Sequence, residues 1–223
     1  MKKGLTILLA LAVGILPCAG CTVREDPETA LINYMNERYP DDTFTLCPVQ
    51  LHWGDPYECY CLDFKSENIP DRSIYAARSL KDREYKYDDN YMKYYLEDET
   101  VAYICEMAGK YLGECKAYVG YSPWEGTLPS SFPTDATAED ILNSGLNSWY
   151  TVYVSPENIT LGEARDIFKE FRTEFEGHQF ENVSVYVYLV PNTELFEEMK
   201  PRMDSGSQHK YLERCSRVGG TSD

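Results

Sequence analysis

A strongly amphipathic helix followed at once by an alternating strand narrows what this chain can fold into. Thr160-Leu161-Gly162-Glu163 has the pattern of a capping box, in which the threonine hydroxyl and the glutamate carboxylate satisfy free backbone N–H groups at a helix start. Leu161, Ala164, Phe168, Phe171 and Phe175 then recur at intervals of three and four, so they share one helix face, and Gly177 follows the end. Next, Val183, Val185, Val187 and Leu189 alternate with Ser184, Tyr186, Tyr188 and Val190. That two-residue period gives a strand with one aliphatic face and one tyrosine-bearing face. A phenylalanine stripe and an aliphatic sheet face each need a partner surface, and a sheet with helices packed on it supplies both.

The rest of the chain reads in the same terms. Asp26-Pro27 predicts a helix start, Leu31, Tyr34, Met35 and Arg38 share a face, and Pro40 ends the element near Tyr39. Two strands are expected on either side of Trp53-Gly54-Asp55-Pro56. A hairpin that pairs Phe44 with Phe64 and Leu46 with Leu62 also sets Thr45 opposite Asp63 and Cys47 opposite Cys61, so one register serves both faces. Ser73–Leu80 is a weaker strand, and the charged stretch 81–87 reads as a connection. Asp88 caps a long helix over about 89–112, closed by Gly113. Cys115, Ala117, Val119 and Tyr121 alternate as a strand. Residues 122–135, with Pro123, Gly126, Pro129 and Pro133, read as a linker or long loop. A short helix over 137–144, a strand over 149–154 and a short helix over 192–199 complete the second part. The early strands form a meander, so the expected class is α+β: an antiparallel or mixed sheet carrying helices, ordered α-β-β-β-α-β and then α-β-α-β-α. The expected organisation is a first half over 21–121, a linker over 122–135, a second half over 136–203 packed on the first, and a flexible tail over 204–223.

The first residues read as an address. Met1-Lys2-Lys3 is followed by an apolar run from Gly4 to Leu16 and then by Pro17-Cys18-Ala19-Gly20-Cys21. A cationic start, an apolar stretch too short to span a bilayer and small residues before a break make an export signal. Ala19-Gly20-Cys21 resembles a bacterial lipobox, with Cys18 where an aliphatic residue is usual. The resemblance implies a signal peptide over 1–20 and lipidation of Cys21, placing the chain on the outer side of the cell membrane. A diacyl or triacyl anchor holds firmly, because each buried CH₂ contributes about 0.8 kcal/mol. The formal charge is −16 over 223 residues. Such acidity argues against nucleic acid as a partner, since phosphate-backbone binding needs clustered Lys and Arg.

Chemistry-bearing patterns are sparse. Outside the signal and Cys21 the cysteines are Cys47, Cys59, Cys61, Cys105, Cys115 and Cys215. They read as disulfide partners or as small buried apolar residues, and Cys47 with Cys61 is the first pair to test. Cys59-Tyr60-Cys61 has one spacer residue rather than the two to four of a zinc knuckle, and the acidic clusters lack the alternation of a calcium loop. No metal or cofactor is expected. The sequence contains no G-x-S-x-G, P-loop, G-x-G-x-x-G or H-E-x-x-H pattern, which leaves no catalytic residue to name. Tyrosine is abundant at 19 residues. Tyr186 and Tyr188, extended by Tyr153 if the neighbouring strand pairs alongside, offer a contact face for a protein, peptide or sugar, or a second face covered by helices.

Ala30-Leu31 through Tyr34, Arg38-Tyr39 and Phe44 follow an "ALxYxxxKYxxxF" opening. With the lipobox and the Asp88-Asp89-Asn90-Tyr91 start, this resembles small uncharacterised lipoproteins of clostridia-like gut Firmicutes over residues 26–121. The resemblance implies location and carries no activity. The leading expectation is a non-enzymatic, lipid-anchored binding or interaction module whose partners are the membrane, through its anchor, and a protein, peptide or sugar ligand. The alternatives are an exported hydrolase with acidic catalytic residues and a subunit of a cell-envelope complex.

Overall fold

The computed structural model describes residues 26–47, 58–122, 126–157, 159–200 and 210–221. Cys21 and the expected signal peptide, the turn around Trp53, and His52 and His209 lie outside the described residues. The fold is α+β, with two sheets and helices packed on them. The first sheet has the order β1-β2-β3-β4-β6 and is antiparallel throughout: β1 Phe44–Leu46, β2 Cys59–Ser66, β3 Ser73–Lys81, β4 Glu84–Asp89 and β6 Leu128–Pro129. The second has the order β5-β7-β8-β9: β5 Cys115–Tyr121, β7 Ser148–Val154, β8 Val183–Leu189 and β9 Ser216–Gly220. Within it β7 and β8 run parallel, joined by helix α5, Leu161–His178. The other helices are α1 Pro27–Arg38, α2 Tyr91–Tyr95, α3 Glu97–Leu112, α4 Ala138–Leu142 and α6 Thr193–Glu198.

Local chemistry sets the best-defined boundaries. Asp26 caps α1 by accepting from the Thr29 N–H at 3.0 Å, and Pro27 takes the first helical position, where its missing N–H costs nothing. The Thr160/Glu163 box of α5 is reciprocal: the Glu163 carboxylate accepts from Thr160 N–H at 2.9 Å, and the Thr160 hydroxyl accepts from Glu163 N–H at 3.3 Å. Ala164, Phe168, Phe171 and Phe175 are buried against Val185 and Val187 of β8, as the periodicity requires.

Three cores follow from this layering. α3 and α5 cover one face of the second sheet. α1 covers the inner face of the first, where Leu31 and Met35 meet Leu62, Phe64, Ile74 and Ala76. On the other face of the second sheet, α6 brings Leu195 and Phe196 against Tyr118 and Tyr153.

Several expectations are corrected. The β1–β2 register pairs Phe44 with Ser66 and Leu46 with Phe64, two residues from the expected alignment. A slip of two keeps every side chain on its face, so hydrophobic pattern could not distinguish the two registers. Polar bonds at the hairpin's open end decide it: the Ser66 hydroxyl donates to Asp42, the Ile69 N–H donates to that same hydroxyl at 3.0 Å, and Glu67 N–H donates to Thr43 carbonyl at 3.2 Å. Residues 81–87 are not a connection alone, because β4 runs from Glu84 and the turn is made by Asp82 and Arg83 at φ of 53° and 68°. The expected helix over 89–112 is two helices broken at Leu96. Residues 216–220 of the expected flexible tail form β9 on the edge of the second sheet.

The expected division at 122–135 does not describe the fold. β5 precedes that stretch yet belongs to the second sheet, and β6 lies within it yet returns to the first. Ala136, Ile141 and Leu146 beyond it sit in the core under α1. The two layers are interleaved along the chain rather than consecutive.

Candidate functional site

The outer face of the first sheet carries thiols, carboxylates and hydroxyls that open onto a cleft. Strand alternation places Cys59, Cys61 and Asp63 of β2 on this face, beside Tyr75, Ala77 and Ser79 of β3. Asp88 of β4 completes a row with Ala77 and Cys61 across three strands. The start of α2 and the end of β5 rise over that floor and enclose an open cleft of about 690 Å³.

Its wall is built around Lys93. The α2 turn Tyr91-Met92-Lys93-Tyr94-Tyr95 begins at Asn90, whose side-chain oxygen accepts from Tyr75 N–H at 2.7 Å. This bond fixes the turn against β3. It sets the Lys93 side chain, only 3% exposed, between two rings: its Nζ lies 4.7 Å from the Tyr94 centroid and 4.8 Å from that of Tyr121. Tyr121 also donates its hydroxyl to the Lys93 carbonyl at 3.3 Å. A Cβ at Gly126 would stand 2.5 Å from Nζ, so the amine occupies the space that glycine leaves. Burial pushes the Lys93 amine down to about 8, helped by the nearby Arg72 guanidinium and opposed by Glu97. Arg72 itself pairs with Glu97 and lies 5.2 Å from the Tyr94 centroid.

Asp88 faces the same cleft. Burial raises its carboxyl, the Thr127 hydroxyl donating at 3.3 Å lowers it, and the Asp89 charge raises it further. Tyr75 is raised chiefly by burial and by its hydrogen bond with the Cys61 thiol. The cleft therefore holds an amine poised between its charged and neutral forms, a reluctant carboxylate, two thiols and aromatic walls.

On the opposite face Asp89 has a structural role. It is buried and accepts from Tyr34 hydroxyl at 2.6 Å, Tyr39 hydroxyl at 2.9 Å and Tyr91 N–H at 2.9 Å, with Arg38 Nε at 3.5 Å. Arg38 also donates to the carbonyls of Ser130 and Phe132. The network ties α1, β4 and the 130–132 segment together.

The residues singled out from sequence are placed as follows. Cys47 and Cys61 are not set opposite one another as expected: Cys47 lies opposite Asp63, its N–H donating to the Asp63 carbonyl at 2.9 Å, and Cys61 lies opposite Ala77. The slip makes the two cysteines diagonal neighbours, about 7–8 Å apart, which is too far for a disulfide. Tyr153 is fully buried beneath α6, its ring 5.7 Å from Tyr118 and 6.0 Å from Tyr188, so it does not extend a contact face. Tyr188 packs at the margin of the same core, and Tyr186 is half-buried with the Arg217 guanidinium of β9 5.5 Å from its ring. On the tyrosine face of β8, Tyr188 packs towards α6 and Tyr186 towards β9. The described histidine, His178, stacks on Phe180 at 5.0 Å. Among the described residues no group of three or more His, Cys, Asp or Glu is arranged to hold a metal ion. Among the described residues no helix is long and apolar enough to cross a membrane.

Sequence reasoning missed Lys93 and Asp88. The available signal was a single lysine inside a tyrosine-rich helical turn, where a solvated charge is unexpected.

No protein-family model matches the chain, and no curated protein matches it. Among solved structures it is similar to a fatty acid AMP ligase from Legionella pneumophila, at 14% identity over 80% of this chain and 34% of that one, with a TM-score of 0.29. The chain thus spans about a third of that protein's length, and a likeness at this level carries no argument.

Proposed function

We propose that this chain is a lipid-anchored, extracytoplasmic binding module whose ligand sits in the cleft over the first sheet. The observation that supports it is the Lys93 amine, held between the Tyr94 and Tyr121 rings in the wall of a cleft whose floor carries Asp88. Aromatic walls with a few convergent polar groups are the general form of a small-molecule site. A ligand bearing an anionic group restores the full charge of Lys93 by pairing with it, while a donor group on the same ligand meets Asp88. A peptide end or an acidic sugar has both. The anchor rests on Ala19-Gly20-Cys21, and the acidity of the chain keeps the domain from adhering to an anionic membrane surface.

Calorimetric titration of the full chain with short peptides, free or amidated at the C-terminus, and with uronic or neutral sugars tests the cleft. Carboxylate-bearing compounds bind and Lys93→Met abolishes the binding. Equal binding of neutral compounds to wild type and variant would sink the reading. The anchor is tested separately: labelled palmitate enters the protein in its bacterial host and is lost in Cys21→Ala.

An exported hydrolase using Asp88 is the second reading, favoured by the raised carboxyl that a general acid requires. It is distinguished by turnover: a bound compound would be cleaved by wild type and bound uncleaved by Asp88→Asn.

A further inference from the structure

Helix α3 ends at Leu112, and Gly113 at φ 79° reverses the chain so that β5 begins at Cys115. The reversal lays Cys115 back against the helix turn that carries Cys105. Each sulfur sits 3.0 Å from the backbone carbonyl oxygen of the other residue, so the two side chains cross in the narrow space between helix and strand. The remaining described cysteines are spread elsewhere: Cys47, Cys59 and Cys61 belong to the first sheet's hairpin, and Cys215 packs by Tyr153.

We infer that Cys105 and Cys115 form an intrachain disulfide that staples the last turns of α3 to the first residue of β5. Cys105 is the attacking group. It is half-buried, it lines a shallow surface depression with Val101, Ala102 and Lys116, and the neighbouring Cys115 side chain holds its thiol below the usual cysteine value. Cys115 is raised by the neighbouring Cys105 side chain and by burial, so it enters second.

The oxidant is a disulfide-bearing molecule, a low-molecular-weight disulfide or a thiol–disulfide oxidoreductase. The Cys105 thiolate attacks one sulfur of the oxidant, breaking its S–S bond and expelling one thiolate. Cys115, as it loses its proton, attacks the Cys105 sulfur of the mixed disulfide and expels the second. One S–S bond forms as one breaks, the protein gives up two electrons and two protons, and the oxidant leaves as two thiols. The closed loop is short, so the chain-entropy gain amounts to roughly a hundredfold in the folding equilibrium.

The inference does not depend on the cleft or the anchor, and its test is independent of both. The full chain is equilibrated with glutathione disulfide, remaining thiols are alkylated, and a non-reducing tryptic digest is analysed by mass spectrometry. Lys93, Lys110 and Lys116 place the cysteines on separate peptides, 94–110 and 111–116, so the bridge is read as these two joined. The melting midpoint of the oxidised wild type falls by several degrees on reduction, and the Cys105→Ser/Cys115→Ser double variant melts at one temperature with or without reductant. Recovery of both peptides alkylated, or of either joined to another cysteine, overturns the inference. So does a reductant-induced fall as large in the double variant as in wild type.

Discussion

Lys93 departs from what packing alone would choose. A buried ammonium is expensive, and the pairing that Tyr94 and Tyr121 provide through their ring faces recovers only part of its lost hydration. The cost has a definite pH signature. The amine sits at about 8 in the folded protein and 10.5 when unfolded, so between those values the unfolded chain binds more protons. The penalty is therefore fully present below pH 8 and is relieved as pH rises towards 10.5, by up to about 3 kcal/mol. Urea unfolding at pH 7 and pH 9.5 reads it as a rise in the stability of wild type relative to Lys93→Met, whose own stability lacks this component. Parallel pH profiles for the two proteins would show that the amine is not buried as described. Asp88 gives the complementary sign. Its carboxyl is raised by burial, so the ionised form weighs on the folded state at neutral pH and the protonated form does not. Asp88→Asn accordingly raises the melting temperature at pH 7 and leaves it unchanged at pH 3. Two polar residues in one cleft that each reduce stability accord with the binding role proposed for it.

At the scale of elements, the strength of the local signal decided what could be read from sequence. α5 was legible in its cap and its stripe, but its end was placed too early: Gly177 lies within the helix, and Gln179 in the left-handed region closes it after His178. Thr160→Ala removes the reciprocal cap and costs about 1 kcal/mol. Phe171→Ala empties a fully buried site between α5 and the second sheet and costs about 3–5 kcal/mol. Both are measured by denaturant midpoints at constant slope. The strands were legible in face but not always in partner. Phe44 and Leu46 were rightly assigned an apolar face, yet the β1–β2 register depends on Ser66, Asp42 and Thr43, whose roles appear only once the chain has folded. β4 was missed because Glu84, Lys86 and Asp88 alternate with Tyr85 and Tyr87, and the charges masked a strand whose tyrosines face inward. β9 was missed because Ser216-Arg217-Val218-Gly219-Gly220 has no apolar period of its own; it is held by β8 and by close contact with α5. A Cβ at Gly219 would stand 2.4 Å from the Phe168 ring. Gly219→Val therefore pushes β9 off the sheet, and hydrogen exchange of Val185 and Val187 amides quickens while α1 is unaffected.

Across the whole molecule, the order in which the chain visits its two sheets matters more than the sheets themselves. The chain leaves the first sheet after β4, supplies β5 to the second, returns to the first as β6, and then completes the second. α4 follows β6 and places Ile141 under α1 and Leu142 against the core of the second sheet, so one short helix belongs to two cores. Asp89 reinforces this arrangement, because its bonds to Tyr34, Tyr39 and Tyr91 join α1 to the very point where β4 hands over to α2. Neither layer can be removed without taking an edge strand or a core residue from the other, so the two should open as one cooperative unit. Native-state hydrogen exchange in low denaturant measures this directly: amides of β2 and β3 and amides of β7 and β8 converge on the same opening free energy. Asp89→Ala leaves three donors and the Arg38 guanidinium without their buried acceptor and lowers that common value by about 3 kcal/mol in both sheets. A loss confined to the first sheet, with the second keeping its wild-type protection, would mean that the interleaved connections do not couple the layers and that each folds on its own core.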